Sequence, residues 1–80
     1  NGFAVLAMPA FEARRRAALL TERELAVVKL IAAGKLNREA AGRLALSVRT
    51  VENYRASAMK KLGVKGSSEL AALLRAAEIN

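Results

Sequence analysis

The feature that most constrains this chain is a run of side chains between Ser47 and Gly63. Val51, Tyr54, Arg55, Ala58, Met59 and Leu62 fall at i, i+3, i+4, i+7, i+8 and i+11, one face of a helix and not the alternation of a strand. Such a face must be buried against neighbours, and the flanking sequence supplies them. Thr21-Glu22-Arg23-Glu24 is a capping box, in which the Thr21 hydroxyl caps one backbone N–H and Glu24 reaches back to another. The helix behind it buries Val27, Val28, Leu30 and Ile31 and stops at Gly34, placed for the left-handed C′ position. Asn37 is expected as the next N-cap, ahead of a short helix burying Ala40, Ala41 and Leu44. Ser47 caps the long helix, which Lys60, Lys61 and Gly63 end. Ser67 opens a last helix with Leu70, Leu73, Leu74 and Ala77 on one side. No segment has the pattern of a strand. The expected fold is all-α, a compact four-helix bundle over residues 20–80, preceded by a linker or N-terminal extension over residues 1–19 whose Arg-rich part from Glu12 to Leu19 is compatible with a further helix.

Composition narrows the function. Eighty residues make one small domain, with seven acidic and fourteen basic side chains, no Cys and no His, and no Asp. Thiolate metal sites, disulfides and the commonest general base are excluded, so neither an enzyme nor a cofactor is expected, and a reducing cytoplasm suits the absence of cysteine. The charge is uneven: residues 35–45 carry +2 and residues 46–66 carry +4, whereas residues 67–80 carry −1. A basic middle points to one face for a polyanion. The apolar stretch from Gly2 to Phe11 is short, broken by Pro9 and without a basic flank, so no membrane partner is expected. The chain begins with Asn, which we read as the start of a fragment whose upstream regulatory domain is missing.

A short helix, a tight turn ending in Ser and a longer amphipathic helix form the layout of a helix-turn-helix. While Val51, Ala58 and Leu62 go inward, Glu52, Asn53, Ala56, Ser57 and Lys60 are expected to point outward, polar or small enough to enter a major groove about 12 Å wide. Basic side chains at Arg38, Arg49, Lys60, Lys61 and Lys65 surround them, suited to phosphates.

The stretch from Leu20 to Ala77 resembles the LuxR-type helix-turn-helix family. The resemblance is carried by Leu20-Thr21-Glu22-Arg23-Glu24, by Gly34-Lys35-Leu36-Asn37-Arg38-Glu39, by Leu46-Ser47-Val48-Arg49-Thr50-Val51-Glu52-Asn53-Tyr54 and by Lys61-Leu62-Gly63-Val64, in that order. Arg49-Thr50-Val51-Glu52, with Tyr54-Arg55-Ala56 and Met59, is most similar to the FixJ-like output domains of two-component response regulators. The resemblance implies a sequence-specific binder of double-stranded DNA in a bacterial transcriptional regulator, with the recognition helix at about residues 48–62 in the major groove. It implies base-facing roles for Glu52, Asn53 and Ala56. Phosphate contacts are implied for Arg38, Arg49, Thr50, Lys60 and Lys65, and Tyr54, Ser57 and Lys61 are grouped with them. It also implies a homodimer, weak without DNA, through Ala72, Leu73 and Ala76 of the last helix, and RNA polymerase as a further partner.

The chain departs from the family pattern at four positions. Tyr54 stands where His is common and either touches a phosphate or packs its ring on the core. Leu36 replaces a small polar residue and is expected to expose an apolar side chain. Ala40 replaces Ile, at a cost of about 1–2 kcal/mol of burial. Glu52 faces an anionic groove and either accepts from cytosine N4 or pairs with Arg49 or Arg55. Two other classes compete with this reading: a sigma-factor region-4-like promoter-binding domain, and a protein-interaction module using the last helix.

Overall fold

A computed structural model describes residues 8–79 of the chain, and its first helix begins at a proline. Pro9 is the N-cap of α1 (Ala10–Ala17), a position where its missing N–H costs nothing and its carbonyl accepts from Glu12 and Ala13, both at 3.1 Å. Ala13 and Ala17, four residues apart on one face, are buried and let the helix lie close to its neighbours. The stretch expected as a linker or extension thus carries a helix that belongs to the folded unit. The described residues form five helices, the four of the expected bundle and the further one that the Arg-rich run allowed. The apolar residues before Met8 lie outside the described residues.

The Thr21 capping box opens α2 (Glu22–Ala32) with both of its reciprocal bonds, Glu24 N–H to Thr21 Oγ1 at 3.1 Å and Thr21 N–H to Glu24 Oε1 at 2.8 Å. Gly34 follows with φ +92°, and the Lys35 N–H closes the end on the Leu30 carbonyl at 3.0 Å. The next helix, α3 (Asn37–Leu44), corrects one expectation. Its N-cap is Leu36, which has no side-chain acceptor, and Asn37 is already helical. Glu39 supplies the end by accepting from the Leu36 N–H at 2.9 Å, which frees the Asn37 amide for another partner. Leu36 itself is 59% exposed, as its departure from the family pattern foretold. The helix leaves through Ala45, left-handed at φ 56°, a conformation that costs a residue with a Cβ about 1 kcal/mol.

Ser47 caps α4 (Val48–Leu62), its Oγ accepting from the Thr50 N–H at 3.0 Å, and Gly63 ends the helix at φ +73°. The last helix, α5 (Ser67–Ala76), starts from Gly66. Helix α4 packs against α2 and α3, while α5 packs against α2 and α1. The fully buried Val27, Val28, Val51, Leu62, Leu70 and Leu73 meet at the centre. Each removes enough apolar surface from water to contribute about 1.5–3 kcal/mol, which a domain of this size needs. Ala40 is also fully buried, so the position under the turn is closed to solvent despite its small side chain.

The position of α1 explains a second correction. The last helix was expected to leave Ala72, Leu73 and Ala76 free for a second copy. Leu73 is fully buried, Ala72 is buried and Ala76 is half-buried, in a helix that packs against both α1 and α2.

Candidate nucleic-acid interface

Helices α3 and α4 with the turn at residues 45–47 form a helix-turn-helix, and the two faces of α4 divide as its spacing requires. Val51, Ala58 and Leu62 are buried, with Tyr54 and Met59 packed at the margin of the core. On the opposite side Arg49, Glu52, Asn53, Ala56 and Lys60 are all exposed, at i, i+3, i+4, i+7 and i+11. Glu52, Asn53 and Ala56 make the middle of this stripe, and the basic side chains Arg49 and Lys60 stand at its two ends. Val48, the first residue of α4, is 41% exposed beside it. Val48 was assigned no role from the sequence; an exposed apolar side chain here can meet a thymine methyl group.

Arg38 on α3 and Lys65 beyond α4 are exposed as well, and Thr50 is half-buried with its Oγ1 accepting from Ser47 Oγ at 2.8 Å. That bond leaves the Thr50 proton for an outside acceptor. Tyr54 is half-buried with its ring against the core, so the packing alternative describes its ring. Glu52 makes no ion pair with Arg49 or Arg55 among the described residues. The Arg55 Nη1 instead donates to Asn37 Oδ1 at 3.1 Å, tying the middle of α4 to the start of α3. The signal for that bond was present in an arginine inside an otherwise apolar stripe.

Two of the expected phosphate contacts are engaged elsewhere. Ser57 Oγ donates to Glu24 Oε2 at 2.6 Å and Lys61 Nζ donates to Glu24 Oε1 at 2.7 Å. Residues 57 and 61 lie one turn apart on the edge of α4 that faces the start of α2, so both reach the Glu24 carboxylate, Ser57 from a half-buried position and Lys61 from the exposed rim. Glu24 is a buried carboxylate and all its oxygens are used, with the Thr21 N–H as the third donor. The hydrogen bond from Lys61, then those from Ser57 and the Thr21 backbone, hold its pKa down to about 2 against the opposing effect of burial. Sequence reasoning gave Glu24 only its capping role and so overlooked its second oxygen.

The ion pairs are distributed unevenly. Among the described residues they join Glu12 to Arg15 and Arg16, Glu78 to Arg14, and Glu24 to Lys61. None involves Arg38, Arg49, Lys60 or Lys65. The outer face of the helix-turn-helix therefore presents cations with no internal counter-ion, around a strip of side chains able to meet base edges. No group of His, Cys, Asp or Glu able to hold a metal ion occurs among the described residues, nor is any of their helices long and apolar enough to cross a membrane.

Residues 18–74 match the family described as "Bacterial regulatory proteins, luxR family". The chain is 45% identical over 62 residues to the spore germination protein GerE of Bacillus subtilis, covering 76% of this chain and 84% of that protein. It is 51% identical over 51 residues to the uncharacterized response regulatory protein YgeK of Escherichia coli, and 46% identical over 52 residues to the oxygen regulatory protein NreC of Staphylococcus aureus. Those matches cover 64% and 65% of this chain but only 35% and 24% of the two relatives. With more than half its length matched, and with the helix-turn-helix in place, the chain belongs to the luxR family of bacterial regulatory proteins and carries that family's DNA-binding domain.

Proposed function

We propose that this chain is the sequence-reading output domain of a bacterial transcriptional regulator of the response-regulator kind, and that it carries no catalytic step. The observation that supports this most is the unpaired basic rim around Glu52, Asn53 and Ala56 on the outer face of α4. In this reading α4 enters the major groove with its N-terminal half. Asn53 forms the paired hydrogen bonds that suit adenine, Glu52 accepts from cytosine N4, and Ala56 keeps the approach close. Arg38, Arg49, Thr50, Lys60 and Lys65 hold the register on phosphates. Ser57 and Lys61 serve the fold through Glu24.

The proposal includes two copies on a dyad-symmetric site, joined weakly in the absence of DNA. Their contact uses accessible parts of α5, Ala76 and the exposed Arg75 among them, in place of Leu73 and Ala72. An upstream regulatory domain, a cytoplasmic setting and an encounter with RNA polymerase belong to the same reading. The family match argues against the sigma-like alternative. Against the interaction-module alternative stands the burial of Leu70, Ala72, Leu73 and Leu74 in the domain's own core, which leaves α5 a smaller apolar surface for a partner.

Selection of genomic duplex fragments by the purified chain at two salt concentrations tests the proposal. A dyad motif retained at the higher salt is the expected result. Retention without a motif, lost steeply with salt, would reduce the function to charge-driven binding. Sedimentation on a single selected duplex checks the pairing: one protomer at saturation would remove it.

A further inference from the structure

Helix α1 lies before residues 18–74, so the family match does not describe what it contributes. Its arginines reach the ends of two other helices. Glu12 Oε2 accepts from Arg16 Nε at 3.0 Å, and Arg16 Nη1 goes on to donate to the Leu62 carbonyl at 3.0 Å. Leu62 is the last residue of α4, and its carbonyl is among those a helix cannot satisfy internally. A cation there also meets the negative end of the helix dipole. Gly63 makes room for this approach, since a Cβ at that position would come within 2.9 Å of Arg16 Nη1. Arg14 repeats the device on α5, with its Nε donating to the Ala77 carbonyl at 3.3 Å and its guanidinium paired with Glu78.

We propose that Arg16, held by Glu12, is a positioning residue for DNA recognition: it clamps the C-terminal end of the recognition helix to α1 and thereby fixes how the base-facing half is presented. The inference rests on the reading of α4 as the recognition helix. A helix is a stiff rod, so an end fixed at Leu62 limits the angle at which Glu52, Asn53 and Ala56 stand out from the bundle. Arg16 and Glu12 need not touch DNA for this. Arg16 is already engaged by Glu12 and by the Leu62 carbonyl.

The test compares Arg16→Gln, Arg16→Lys and Glu12→Ala in the full chain. Each is measured on a duplex carrying the selected motif and on a scrambled duplex of the same length, with backbone amide exchange followed without DNA. Arg16→Gln is expected to lose about tenfold on the motif duplex, the range of a hydrogen bond to a charged group, and much less on the scrambled one. Arg16→Lys, which keeps the charge and a donor, should recover most of the loss. Glu12→Ala is the sharpest variant, because it makes the domain more positive. A charge-only account predicts tighter binding to both duplexes, whereas the clamp predicts weaker binding to the motif. Faster exchange at Gly63 and Val64 in Arg16→Gln and Glu12→Ala is expected alongside.

Tighter binding of Glu12→Ala to both duplexes, or equal losses of Arg16→Gln on both, would overturn the clamp. Should the unaltered chain fail to distinguish the two duplexes, the sequence-reading function fails instead. The clamp is then decided by exchange alone, with unchanged rates from Met59 to Val64 overturning it and accelerated rates supporting it. If Arg16→Gln does not fold, the conservative lysine variant and Glu12→Ala carry the same decision.

Discussion

Helix α1 and the helix-turn-helix are both rich in arginine and lysine, yet they spend that charge differently. On α1, Arg14, Arg15 and Arg16 are all paired with a carboxylate, and two of them also bind helix-terminal carbonyls. On the outer face formed by α3, α4 and the residue beyond, Arg38, Arg49, Lys60 and Lys65 have no carboxylate partner among the described residues. The count of basic residues would assign DNA to either region. Pairing separates them: a cation with a carboxylate at short range has a reduced field with which to attract a phosphate, although Arg15 and Arg16 share the one carboxylate of Glu12, and an unpaired one releases counterions when it binds.

The widest separation between the regions is expected from charge reversal. Arg49→Glu with Lys60→Glu should lower duplex affinity about a hundredfold or more, as two attractions become repulsions. Arg15→Glu on α1 should change it by less than about threefold, since exposed and already paired charges contribute little. Similar losses from both would break the comparison. The next effect is on stability and lies within α4 itself. Lys61→Ala leaves the buried Glu24 with a lost partner and should cost about 1–3 kcal/mol in denaturant unfolding, with the salt dependence of DNA binding retained. Its neighbour should behave in the opposite way: Lys60→Ala keeps stability and reduces the salt slope of binding by about one. A smaller slope for Lys61→Ala would return that residue to the phosphate set.

The Glu24 network also predicts a pH dependence. Because the folded state holds this carboxylate at about 2, below its ordinary 4.5, its contribution is complete above that ordinary value and is lost as pH falls towards 2. Unfolding midpoints of Glu24→Gln should therefore fall less steeply between those two values than those of the unaltered chain. An equal slope would show that Glu24 is not the titrating group. Asn53→Ala should cost about 1–3 kcal/mol on the preferred duplex and leave non-specific affinity nearly untouched. The smallest effect is expected at the turn, where Ala45→Gly relieves a left-handed alanine and should raise stability by about 0.5 kcal/mol, the strain relieved being partly offset by the greater freedom of glycine when unfolded.

The sequence announced most of the frame because its signals were local. Thr21 with Glu24, Ser47, Gly34 and Gly63 each act within a turn of chain, and the stripe from Val51 to Leu62 needs only a helix to exist. What stayed hidden depended on partners distant in sequence. Leu73 looked like both core and dimer surface because nothing local says that α1 packs on α5, and the Ala13 and Ala17 spacing was masked by the intervening arginines. Ser57 and Lys61 looked available because Glu24 already had a role, though a carboxylate has two oxygens to satisfy. Asn37 looked like a cap, but the Leu36 N–H found Glu39 and the Asn37 side chain found Arg55. The expected base-facing and phosphate roles themselves are a matter of the DNA complex.

The account's central claim is that DNA meets the unpaired face of α4 and not the paired face of α1. Backbone amide shifts on titration with a selected duplex measure this directly. The account predicts the largest changes at Arg49, Glu52, Asn53, Ala56 and Lys60, with Arg14 and Arg15 nearly still. The largest changes on α1 or along α5, with the outer stripe of α4 unmoved, would contradict it.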